Sequence, residues 1–425
     1  MTEQNRHGRN RKGFVLLSGL MLVVFLTILL GVALMRSNSQ FKMTNQRRAI
    51  HEAFYTAEAG IERAIFELRR NPHWSPGKNG QPPEQNVRLN RVPGDDATTS
   101  GFYSLEVADG GIFKGWNTAW IRSVGKDSLQ SITKLIVTRV IVESPTRFLI
   151  STLGDIRVGS GASVEADVLA QNIFFDVNPS LPSPQKDITV DGDVFYIRSI
   201  NGQNDPAVHF QSSSQIQQSP SITFAGVDLN RYRGLAQNNN QGYYQNGDLT
   251  VDLDNLSNLS PGQAFAPQII FAEGNVHISG EYDHSLLVVA GGDVFIEGDI
   301  TPVKSLPVRP QIGILAKKDL IIPSNALDGD QDMNLEAFLM ADGDGAAEGR
   351  FVAQGQKFSW GTLNFTGAMS IRGEGRAAVD LNAFDKRIYR FNPELNINRQ
   401  IPFVPFIVNV IEWNEKRLQD PFPPL

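Results

Sequence analysis

Residues 14–35 form a run of 22 residues without a charge, rich in Leu, Val and Phe and interrupted only by Ser18, Gly19, Thr27 and Gly31. As a helix rising 1.5 Å per residue, such a run spans roughly 30 Å, the thickness of bilayer hydrocarbon. It is expected to cross a membrane rather than to pack in a core. Arg6, Arg9, Arg11 and Lys12 precede it against one acid, Glu3, which predicts a cytoplasmic N-terminus and an exoplasmic remainder. A cleaved secretory signal would have a shorter apolar stretch and a small-x-small cleavage site, and Val32-Ala33-Leu34-Met35 is a poor one. A plain signal anchor shares the pattern.

The helix is expected to continue past the membrane. No proline intervenes over 37–70, and Ile50, Phe54, Ala57, Ile61, Ala64, Ile65 and Leu68 recur at three- and four-residue spacings. A helix over 14–70 would be about 85 Å long. Asn71-Pro72, Pro76-Gly77 and Pro82-Pro83 end it. The small residues Ala53, Ala57, Ala59 and Gly60 suit close packing, either on a sheet or against another helix.

Two stretches carry a family resemblance. Basic residues, then Gly13, then Phe14 opening the apolar run resemble the leader junction of type IV pilins, which a prepilin peptidase cuts after the glycine. Farther on, Ala53-Phe54-Tyr55-Thr56-Ala57-Glu58-Ala59-Gly60-Ile61-Glu62-Arg63-Ala64 resembles the signature of PilX-type minor pilins. The resemblance implies Gly13 and Phe14 as the cleavage site and Ala57, Glu58, Ala59 and Gly60 as the signature core. It implies a minor component of a type IV pilus or related filament, priming assembly or presenting a contact surface. Prepilin peptidase, minor and major pilins, an inner-membrane assembly platform and membrane lipid would be its partners. The implied location is a single pass in the inner membrane with the bulk periplasmic, then extracellular in the pilus after assembly. One residue departs from the pattern: Ser18 stands at the fifth mature position, where most pilins have a glutamate. A carboxylate in hydrocarbon is costly and is retained for a purpose, so its replacement argues against the major structural subunit.

At 425 residues the chain exceeds one average domain. Residues 1–48 have eight Lys/Arg and one acid, about +7, whereas the whole chain is −6, leaving about −13 for the remainder. Nucleic acid is therefore not an expected partner. Cysteine is absent, so burial and backbone pairing must supply stability without disulfides. Residues 101–143 read as a small antiparallel sheet, with strand-like runs at 102–107, 116–124 and 132–142. The last alternates Leu135, Val137, Arg139 and Ile141.

Beyond Pro145 the signal is an internal repeat, Gly-Asp followed by alternating apolar residues. The copies are 154–158, 192–196, 274–278, 292–296, 318–322 and 367–371. A short strand closed by a glycine corner is the unit of a β-solenoid, whose rungs bury their faces only by stacking. A β-sandwich with Gly-Asp turns is the alternative. The expected fold class is α+β: a 1–13 leader, a 14–70 helical spine, a 71–145 pilin-like sheet, a 146–380 solenoid-like domain and a 381–425 proline-punctuated tail in which 404–413 adds a strand.

Catalytic patterns are missing. The six histidines lack metal spacing, and no nucleophile elbow, phosphate loop or dinucleotide fingerprint occurs. The expected role is non-enzymatic. A permanently anchored envelope scaffold and a glycan-active β-helix enzyme are the rivals. One acidic run, Asp328, Asp330, Asp332 and Glu336 with Asp342 and Asp344 nearby, has the alternation of a calcium loop. Met333 replaces the turn glycine of an EF-hand, so the run reads either as a solvated loop or as a calcium site; no other cofactor is expected.

Overall fold

The computed structural model describes residues 7–76, 84–85, 87–88, 101–113, 116–219, 226–238, 242–259, 267–304, 306, 309–327, 331–343, 348–357, 359–373, 377–392, 394–397, 401, 404 and 407–416. One α-helix, His7–Arg70, is 64 residues long. Its apolar portion is bare: Leu16, Leu20, Val24 and Met35 each expose half of their surface or more. That portion is long and apolar enough to cross a membrane, with a mean hydropathy of 2.7. From Ala53 the environment changes. Ala53, Ala57, Ile61, Ala64 and Leu68 fall on one stripe and are fully buried.

That stripe packs on an antiparallel sheet ordered Val87–Arg88, Phe102–Phe113, Trp116–Lys126, Thr133–Glu143 and Ile407–Lys416. The approach is close because both surfaces are small. A Cβ on Gly125 would lie 2.1 Å from the Ala53 carbonyl oxygen and 2.3 Å from the Ala57 nitrogen. Gly125→Ala is therefore expected to push helix and sheet apart and to destabilise by about 1–3 kcal/mol, read as a lower melting temperature of the detergent-solubilised chain.

The rest is a β-solenoid in which neighbouring strands pair in parallel two elements apart, joining 21 strands among the described residues. In one row the inward residues Leu249, Val276, Val294, Leu320, Phe351, Val379, Ile156 and Ile173 sit in register, each opposite the next. All belong to one continuous apolar core. Every such side chain contributes about 1.5–3 kcal/mol relative to exposure, which no single rung could obtain alone.

The Asp or Asn of the repeat has a defined task. Asp248 Oδ1 accepts from the Asn275 backbone N–H at 2.7 Å, Asn275 Oδ1 from that of Asp293 at 2.9 Å, Asp293 Oδ1 from that of Asp319 at 3.0 Å, and Asp319 Oδ1 from that of Arg350 at 2.8 Å. Each corner thus caps an amide one rung on, where the ladder would otherwise leave an unmet donor.

Rung order in space differs from chain order. The stack begins at Gly242–Gln245 and runs through Ile269–Ala272, Leu286–Ala290, Ile312–Ala316, Met333–Ala341 and Trp360–Ile371. It continues with Ile150–Thr152, Val168–Asp176, Val194–Asn201 and Ile216–Gln218. The chain therefore enters the coil in mid-stack at Ile150, winds to one end at Gln218 and crosses to the other end. From there it winds back to finish beside its own entrance. The crossing holds the helix Leu229–Asn238; Val227, Tyr232 and Ala236 cover Ile269, Phe271, Leu287 and Phe338 on the outer face.

Two expectations are corrected. Not all six repeat copies are equivalent: Val194 pairs with Val168 in the other row, and Gly367 lies inside the strand Trp360–Ile371 rather than at a corner. Nor is 381–425 a tail. Phe384–Phe391 completes the rung stacked against Ala162–Glu165, and Ile407–Lys416 pairs antiparallel with Thr133–Glu143. The solenoid is an insertion between two adjacent strands of the small sheet.

Candidate functional site

Gly13 and Phe14 fall inside the helix His7–Arg70, which begins ahead of the expected cleavage point. Helical backbone therefore runs unbroken through the junction. In the signature, Ala57 and Gly60 are buried against the sheet, whereas Glu58 and Ala59 stay partly exposed. A Cβ on Gly60 would lie 2.2 Å from Ser123 Oγ. Ala57 and Gly60 of the signature are thus engaged in helix-on-sheet contact within this chain. Glu52 reaches further: its carboxylate accepts from the Ser128 N–H at 3.1 Å and from Ser128 Oγ at 3.3 Å, tying the hairpin turn to the helix.

Of the acidic run, Asp328 and Asp330 lie outside the described residues, as does Asp344. The others do not converge. Asp332 Oδ1 accepts from the Thr362 N–H at 2.5 Å and serves a rung corner. Glu336 is buried on the outer face and pairs with Arg309. Burial pushes its carboxyl above the usual carboxylate range, against the opposing pull of the Arg309 guanidinium. Asp342 is buried elsewhere, accepting from Lys317 Nζ at 2.6 Å and from Arg372 at 3.2 Å. Among the described residues no group of three or more such side chains is placed to hold a metal ion.

A constellation not legible in the sequence joins the two modules. Trp116, Ile141 and Phe148 of the sheet side pack with Leu169 and Phe195 of the solenoid in one buried cluster. The Arg147 guanidinium lies 5.1 Å from the Trp116 ring centroid, 5.1 Å from that of Phe148 and 5.9 Å from that of Phe195, and pairs with Glu143 at 2.8 Å. Strand Phe102–Phe113 begins beside Thr56, where a Cβ on Gly101 would lie 2.4 Å from Thr56 Oγ1. It runs away from the apolar end of the helix, so this joint sits at the far end of the sheet. The solenoid is carried distal to the apolar span.

No protein-family model matches the chain, and no curated protein matches it. Among solved structures, the crystal structure of the competence-associated pilin ComZ from Thermus thermophilus is similar over 86% of this chain and 97% of that one, at 12% identity and a TM-score of 0.30. At a score that low the likeness carries no inference about this chain.

Proposed function

We propose that the chain is a non-enzymatic pilin-like protein, a PilX-type minor component of a type IV pilus or related filament. On this reading it is cut between Gly13 and Phe14 by prepilin peptidase and held in the inner membrane with its N-terminus cytoplasmic. It enters the filament with other pilins at the assembly platform and displays the solenoid as its contact surface. What carries the reading is one unbroken helix whose first half is bare and apolar while its second half is the buried spine of a small sheet. A plain anchor has no need of that continuity. The inserted solenoid, joined at the distal end of the sheet, fits a module displayed away from the membrane.

The test is the mature N-terminus. Protein extracted from membranes of cells with an active prepilin peptidase is expected to begin at Phe14, and Gly13→Val to leave an intact precursor in the membrane. An unprocessed Met1 terminus in such cells would refute the reading. With Ser18 lacking a carboxylate, long homopolymers are not expected. The protein should be a low-copy component of sheared filaments, and its deletion should reduce filament number. Unchanged filament number together with absence from the sheared fraction would favour the envelope scaffold.

A further inference from the structure

One charged side chain occupies a core position of the solenoid. Across the strands Met333–Ala341, Trp360–Ile371, Phe384–Phe391 and Ala162–Glu165, the residues Met333, Leu363, Arg387 and Ala162 stand in register, each opposite the next. The other three are apolar and fully buried in the core, and Arg387 itself is only 4% exposed. Its guanidinium turns to the corner, where Nη2 donates to the Ser160 carbonyl at 2.5 Å and Nη1 to Asn382 Oδ1 at 2.7 Å. Nε is buried without a hydrogen-bond partner. A guanidinium has five N–H donors, so these two bonds leave three of them unused among the described residues. No carboxylate of the described residues pairs with it. Two acids at this corner are engaged elsewhere: Asp380 Oδ1 accepts from Asn382 Nδ2 at 2.8 Å, and Asp176, opposite Gly159, accepts from Arg157 at 2.8 Å. A buried cation without a counter-charge is costly.

The fork of this guanidinium faces the place of a missing side chain. Gly159 follows the inward Ile156 and Val158 on its strand, so its own Cβ would point outward. The three atoms nearest to a Cβ built there are Arg387 Nη2 at 3.5 Å, Arg387 Nη1 at 3.8 Å and Asn382 Oδ1 at 3.8 Å. Gly159 does not have the positive φ that calls for glycine, so the backbone alone does not explain the residue. We propose that the corner formed by Gly159, Ser160, Asn382 and Arg387 binds one oxyanion, a carboxylate, sulfate or phosphate group, held end-on by Nη1 and Nη2. Two parallel charge-assisted hydrogen bonds from a fork of this shape suit such a group. The anion supplies the counter-charge that the chain does not. The site needs only the folded solenoid and is independent of the filament reading.

The test is the melting temperature of the full-length, detergent-solubilised chain in rising sulfate, phosphate or glucuronate, against sodium chloride of equal ionic strength. Wild type is expected to gain saturably, by about 5–10 °C at a hundredfold excess over Kd. Gly159→Ala sets a methyl group against the fork at ordinary contact distances, so it should fold, and its affinity for these anions should fall at least about tenfold. Arg387→Leu, whose side chain suits an apolar row, should show no saturable gain. Equal gains in all three proteins would be the general effect of salts excluded from protein surfaces and would overturn the proposal, as would no gain in wild type. A gain in wild type with glucuronate alone, or with sulfate and phosphate alone, lost in Gly159→Ala, upholds the site and assigns it to carboxylate or to tetrahedral oxyanions. If Arg387→Leu does not fold, the comparison of wild type with Gly159→Ala decides by itself.

Discussion

Val294→Asp is expected to unfold the solenoid. Val294 is fully buried between Val276 and Leu320 in the inner stack and belongs to the continuous apolar core. A carboxylate there is an unpaired buried charge, a change that typically costs several kcal/mol. In a domain of this size each kcal/mol lowers the melting temperature by about 2–4 °C, so a fall of about 10 °C or outright loss of folded protein is expected. Phe295→Asp, one residue on, should be milder. Phe295 points outward and is partly exposed, stacked on His277 with ring centroids 4.7 Å apart at 14°. Losing that contact costs about 0.5–1.5 kcal/mol, a shift of a few degrees. Thermal melts of the two full-length variants in detergent decide the matter. Equal damage would mean that these side chains do not alternate between core and surface as the register requires.

The rungs were legible because the corner chemistry is local. Gly274-Asn275-Val276 and Gly292-Asp293-Val294 place turn, amide cap and inward side chain in three consecutive residues, and the paired Val276 and Val294 are separated by a single short rung. The spine was legible for the same reason, since its burial follows a helical period from Ala53 to Leu68. Rung order was not. A repeat states what each rung is but not which rung it lies against, and the contact of Met369 with Ile150 joins positions far apart in the chain. Gly367 shows how composition misleads: it has the repeat's apolar followers, but a Cβ there would lie 1.9 Å from the Ala337 carbonyl oxygen. It is present for close strand contact, not for a corner. The strand Ile407–Lys416 was visible as a strand, yet its partner Thr133–Glu143 lies on the other side of the whole insertion. The joint around Arg147 is not visible in the sequence because its aromatic rings come from three separate segments. Of the acidic run, the sequence displayed carboxylates at alternating positions. Asp332 and Glu336 are instead engaged by Thr362 and Arg309 on different parts of the rung surface.

Asp342→Ala is expected to loosen the crossing segment that makes this rung order feasible. That segment must span the full stack, roughly 40 Å at about 4.8 Å per strand. Its described contacts lie toward one half, where Tyr232 and Ala236 cover the outer face. Asp342 pins it at the front of that contact. Its side chain is 3% exposed, and its Oδ2 accepts both the Val227 N–H at 3.0 Å and Lys317 Nζ at 2.6 Å, while Oδ1 accepts from Arg372. Alanine removes a buried anion shared by two cations and a backbone amide. Breaking a buried ion pair costs about 3–5 kcal/mol, and the partial exposure of the Arg372 side chain, 40%, argues for the lower end. A melting temperature lower by about 6–12 °C follows, together with faster proteolytic cutting within 219–241. Asp342→Asn retains an acceptor for the Val227 amide while losing the charge, so it should fall between wild type and alanine. Proteolysis of Asp342→Ala at the wild-type rate would mean that apolar cover from Val227, Tyr232 and Ala236 holds the crossing without the clasp. The order of the three proteins then separates charge from hydrogen bonding: asparagine close to wild type assigns the hold to the amide, and asparagine close to alanine assigns it to the two cations.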